Sequence, residues 1–154
     1  MKITQRLRHE EGAAAVEFAL IVGVLAMLIF GMLQYGLAFF QLQNLRAATR
    51  EGARAGAVGA TVAQVKQATS NASLGALSAS DPAINVQYWN GSALVAGSCP
   101  PKDQQTTSSQ VRVSVNINNA SAGLQDIFVV DIPMLPPISL KNANISGAFR
   151  CEGN

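Results

Sequence analysis

Glu17 is the residue whose chemistry most needs a reason. It lies in the run Gly12-Ala-Ala-Ala-Val-Glu17-Phe-Ala-Leu20, and after it no Asp, Glu, Lys or Arg occurs until Arg46. A carboxylate inside a membrane-length apolar run costs roughly 2.5–3.5 kcal/mol on insertion scales, so such an acid normally has a partner or a function. The chemistry open to it is ion pairing with a cation held at the same depth. Two further groups have informative spacing. Arg46, Arg50 and Arg54 recur every fourth residue and line one face of a helix, with Glu51 in reach of Arg54 at i,i+3. They form either an interaction stripe toward lipid headgroups or an acidic neighbour, or ordinary solvated charge, and the second reading is preferred. Cys99 and Cys151 are an even pair in a chain with membrane-insertion features, which reads as one disulfide in an oxidising compartment. A pair of buried thiols is the alternative.

Reaction chemistry has little to work with. The single histidine, His9, precedes the apolar run, so the region beyond that run has no imidazole base or ligand. The two cysteines are too far apart for a local zinc clip, and no Walker or Rossmann glycine pattern occurs. Asp126 and Asp131 read as surface charges rather than a glycosidase pair. The expectation is no metal, no cofactor and no enzymatic activity. A net charge of +2, without a basic run interleaved with aromatics, also argues against nucleic acid. Asn71, Asn90, Asn119 and Asn144 each begin an N-x-Ser sequon, which a chain rich in Asn and Ser produces by chance.

The elements that must carry these residues follow from the patterning. Residues 1–12 are polar and aperiodic and read as a leader without structure. Residues 13–45 are predicted to form a membrane-spanning helix, because the uncharged run from 18 to 45 exceeds the ~30 Å hydrocarbon thickness at ~1.5 Å per residue. A cleavable secretory signal is the competitor, but its h-region would be only ~7–15 residues long. Basic residues flank the span on both sides. Its short N-terminal flank and the two cysteines beyond it place residues 46–154 outside the cytoplasm. The helix should run on past Gln41 and break near Gly52, Gly56 and Gly59; the Gly52-x-x-x-Gly56 motif has little force outside an apolar span.

A second helix is expected within 61–78, ended by Ser80-Asp81-Pro82. Ile84, Val86 and Tyr88 then alternate with polar positions, and Asn90-Gly91 predicts a type I′ hairpin into Ser92–Ala96. Val111, Val113, Val115 and Ile117 mark the clearest strand. Residues 97–110 should be a loop, Ile127–Ile132 a short strand or helix, and Ile138–Phe149 a last strand leading to Cys151. The fold class is α+β: a long N-terminal helix whose outer half packs on a small antiparallel sheet.

A short leader, a glycine and an apolar helix with glutamate at its fifth residue resemble the type IV prepilin class. Gly12 to Leu20, Gln34-Tyr35-Gly36 and Ala47-Ala-Thr-Arg-Glu-Gly-Ala-Arg54 resemble the TadE-like pseudopilins of the bacterial tight-adherence (Flp) pilus system. Pro133-Met-Leu-Pro-Pro-Ile138, followed by a strand ending in Phe149-Arg-Cys-Glu152, is similar to the family's ending. The resemblance implies a single-pass inner-membrane minor pilin, cut between Gly12 and Ala13 by a prepilin peptidase. Its partners would be other pilins, pilus-assembly proteins and membrane lipid. Glu17 would pair with the new amine of Ala13, on its own chain or on an adjacent subunit. The chain departs from the family in having Glu10-Glu11 before Gly12 and no proline in the apolar run. The competing reading is an unprocessed bitopic protein whose outer domain binds a ligand or partner.

Overall fold

The computed structural model describes the backbone of residues 3–131 and 136–152, and side chains from Gly12 onward within those bounds. The side chains of residues 1–11 and residues 132–135, which take in the start of the proline-rich motif, lie outside the described residues. Helix α1 spans Ile3–Ala57, so the leader is not structureless. Its Gln5, Arg6, Leu7, Arg8, Glu10 and Glu11 are good helix formers, and a growing helix needs no apolar periodicity. The other end is set by Gly59 at φ 90°. There Gly59 N–H donates to Gly56 O at 3.2 Å and Ala60 N–H to Ala55 O at 3.2 Å, the paired bonds of a Schellman stop.

Helix α2, Val62–Ala72, begins at a capping box: Gln64 N–H donates to the Thr61 hydroxyl at 3.4 Å, and Thr61 N–H to Gln64 Oε1 at 2.9 Å. It ends earlier than the apolar spacing suggests. Leu74 at φ 53° and Gly75 at φ 84° reverse the chain there. The Ser73 hydroxyl secures the reversal, donating to Ser70 O at 2.7 Å while accepting Leu77 N–H at 3.0 Å.

Strands β1 (Ile84–Trp89), β2 (Leu94–Ala96), β3 (Gln110–Asn116) and β6 (Asn144–Arg150) form an antiparallel sheet in the order β2-β1-β3-β6. Two expectations are corrected. The β1–β2 register pairs Trp89 with Leu94, so Asn90 faces Ala93 and the turn residues are Gly91 and Ser92, one position beyond the Asn90-Gly91 expected. Asn90 closes the turn, its Oδ1 accepting Ser92 N–H and Ala93 N–H at 2.9 Å each. Gly91, at φ 105°, supplies the left-handed residue of that turn. The last expected strand is two: β5 (Ile138–Ser139) pairs with β4 (Val129–Val130) in a separate ribbon, and β6 begins after a turn. Residues 127–131 are likewise mixed, α3 (Ala122–Ile127) leading through Phe128 into β4, and Ile132 lies outside the described residues.

Helices α1 and α2 cover one face of the sheet. Val111, Val113 and Val115 of β3 meet Leu45, Ala53, Val65, Ile117 and Phe128 there, all fully buried. The other face presents Asn85, Arg112, Asn144 and Ser146 to solvent, as expected of a sheet covered on one side. Only the C-terminal part of α1 joins this core; its N-terminal part projects from the domain.

Candidate functional site

The projecting part of α1 is built from large apolar residues with nothing to bury them. No residue from Gly12 to Leu37 is buried, and Phe18, Leu20, Phe30 and Met32 are 64–72% exposed. Rising ~1.5 Å each, these residues reach roughly 39 Å, more than the hydrocarbon core of a bilayer. Unbroken apolar surface on this scale needs an apolar solvent or a partner. The helix is long and apolar enough to cross a membrane.

Gly12 stands in the open at the head of this surface, with nothing within 4 Å of where a Cβ would sit. Ala13 lies one turn before Glu17, and both are exposed. The only ion pair among the described residues is Arg54–Glu51 at 3.9 Å, so Glu17 pairs with no described cation. Glycine, small residue and acid thus follow one another at one end of a naked apolar helix. Residues 12–54 match the TadE-like protein family. The match opens at Gly12, takes in Glu17 and ends at Arg54, so α2 and the sheet lie beyond it. No curated protein and no solved structure gives a significant match.

The upper part of α1 does different work. Domain packing begins at Ala38, which is 2% exposed, inside the stretch that hydropathy alone assigns to the membrane. From there the inward face is mostly small: Ala48, Thr49, Gly52, Ala53, Gly56 and Ala57 are all buried. Gly52 and Gly56 have more force than their place outside the span suggested. A Cβ on Gly52 would collide with the Thr69 hydroxyl of α2, and one on Gly56 would lie 3.0 Å from Val111 Cγ2 of β3. Sequence reasoning missed their counterpart, Gly147 of β6, where a Cβ would meet the backbone of Thr49 and Arg50 at 2.8 Å. The available signal was a lone glycine inside a strand, which marks a close backbone approach.

Arg46, Arg50 and Arg54 do line one exposed face, with Arg54 beside Glu51. Cys99 and Cys151 are joined in a disulfide, Cα–Cα 5.7 Å. It sits where two segments meet the end of α1: the Ser98 hydroxyl donates to Ala60 O at 2.6 Å, and Glu152 N–H to Ala57 O at 2.9 Å. At the opposite, lower end, Gln41 borders a cleft of about 300 Å³ shared with Leu74, Leu124 and Ile127. Its Oε1 is buried and has no hydrogen-bond partner among the described residues. Among the described residues no group of three His, Cys, Asp or Glu gathers into a metal-binding set.

Proposed function

We propose that this chain is a minor pilin of a tight-adherence pilus, held in the bacterial inner membrane by α1, with its disulfide-bonded domain on the outer side. The observation that carries this reading is the TadE-like segment itself: an apolar helix with no buried residue from Gly12 to Leu37, opening on Gly12, Ala13 and a Glu17 that pairs with no described cation. A prepilin peptidase would cut behind Gly12, leaving an α-amine on Ala13 with a reference pKa near ~7.7–8.0. That amine and the Glu17 carboxylate would then lie one helical turn apart near the same membrane boundary. Pairing them, within a chain or between adjacent subunits, removes part of the cost of holding either charge in lipid. The naked helix supports assembly, because neighbouring pilin helices could cover the surface that lipid covers before extraction.

The mature N-terminus tests this. Sequencing of protein recovered from membranes should begin at Ala13; a start at Met1 would favour the unprocessed bitopic reading. Gly12→Leu should abolish processing. Glu17→Gln should leave insertion and processing intact while blocking assembly and surface adhesion, and pili made normally by Glu17→Gln cells would remove the charge-pair role.

A further inference from the structure

The lower rim of the domain carries apolar side chains that nothing in the fold requires. Leu74 is 74% exposed, although it occupies a turn position at φ 53° that ordinarily favours glycine or asparagine. It borders the Gln41 cleft together with Ile127. From α3 the chain passes straight into the β4–β5 ribbon, which exposes Ile138 at 58% and Leu140 at 40%. On α1 itself Tyr35, Phe39 and Phe40 are 50–63% exposed at the adjoining level.

The vertical order of the domain is fixed by contacts along α1. Ser98 and Glu152 bond near its end at Gly56–Ala60, and Val111, the partner of Tyr88, lies against Gly56. The Gly91-Ser92 turn, beyond Tyr88, is therefore at the top. Helix α2 returns downward past Gly52 and delivers Leu74 to the level of Gln41. Leu74 and Ile127 thus stand where the bare apolar helix enters the domain.

We infer that this rim is a membrane-resting collar: Leu74 and Ile127, continued by Ile138 and Leu140, dip into the lipid headgroup layer around α1. Tyr35, Phe39 and Phe40 form the aromatic band of the same interface. The inference rests on the membrane reading above. It explains why packing starts at Ala38, inside the apolar stretch. A domain seated at that level leaves residues 12–37 to cross the hydrocarbon and puts its own apolar rim at the boundary. Interfacial apolar groups of this kind sit roughly 5–10 Å into the headgroup and acyl region.

The test uses the full chain in phosphatidylcholine vesicles, a zwitterionic surface on which exposed Asp126 near the rim exerts little repulsion. Nitroxide labels are placed singly by Phe30→Cys, Leu74→Cys and Ser92→Cys with the native disulfide intact, and collision with oxygen and with a water-soluble nickel chelate is measured. The label at 30 should be oxygen-rich and nickel-poor, and that at 92 fully aqueous. The label at 74 should show roughly threefold less nickel collision than that at 92, as interfacial depth requires. Ile138→Cys repeats the measurement from the β5 side should Leu74→Cys alter the Trp89 emission of the folded domain. If 74 matches 92 while 30 remains in lipid, the collar is wrong and the membrane span stands. If 30 collides freely with nickel, the membrane reading itself fails. Protection at 74 that vanishes on diluting protein in lipid would assign the rim to a second copy of the chain and overturn the collar.

Discussion

The two parts of α1 share one unbroken backbone and opposite surfaces. Residues 12–37 point large side chains outward on all sides, and residues 38–57 turn a face of mostly alanine, glycine and threonine inward, with Leu45 the one large side chain buried in it. The more hydrophobic part is therefore the unburied one. Burial in the upper part depends on closeness rather than on side-chain size: glycines on α1 and at Gly147 let the helix backbone approach α2, β3 and β6. Apolar character says what a segment avoids, while small residues say where another backbone must come near.

Removing the disulfide should have the largest effect on this contrast. Cys99 and Cys151 are 52 residues apart, and on the chain-entropy account losing that loop closure costs about 4 kcal/mol. The double change Cys99→Ser, Cys151→Ser should lower domain stability by that order in urea unfolding followed through Trp89 fluorescence. Membrane insertion should be unchanged, since the lower helix takes no part in the clasp. Loss of insertion along with stability would break the separation between the two parts.

Next comes Gly147→Ala. Its new methyl would press on the Thr49 and Arg50 backbone, which cannot swing aside as a side chain can. Overpacking of this kind costs about 2–3 kcal/mol. The urea midpoint should fall accordingly, and an unchanged midpoint would mean that helix and sheet can separate at little cost.

The smallest effects sharpen the comparison along one helix. Gly52→Ala meets the terminal hydroxyl of Thr69, which also donates to Val65 O at 2.8 Å, and should destabilise by about 1 kcal/mol as that hydrogen bond gives way. Gly36→Ala has nothing within 4 Å and should leave the domain midpoint unmoved while raising helix content, since alanine is favoured over glycine in a helix interior by about 1 kcal/mol. A destabilised domain in Gly36→Ala would show that the lower part is packed after all.

Much of this was written locally. The apolar run and its length, the alternation of Val111, Val113 and Val115, and the glycine that stops α1 are short-range signals, each legible where it stands. The Gly12–Glu17 motif carried its resemblance in the same way, and the family match covers the same residues. The sequence also favoured a bond between the two cysteines over free thiols, and the structure joins them.

Tertiary structure decided what depends on distant neighbours. The β1–β2 turn centres one residue later than Asn90-Gly91 suggests, because Trp89 pairs with Leu94 and Asn90 with Ala93, and the Asn90 side chain closes the loop between them. Ile138–Phe149 divided because Val130 captured Ile138 before β6 could begin. Ala38, uncharged like everything around it, became the floor of the domain because α1 is gripped from there upward. Composition sees only what each residue prefers to leave; which surface is waiting to receive it is a property of the whole fold.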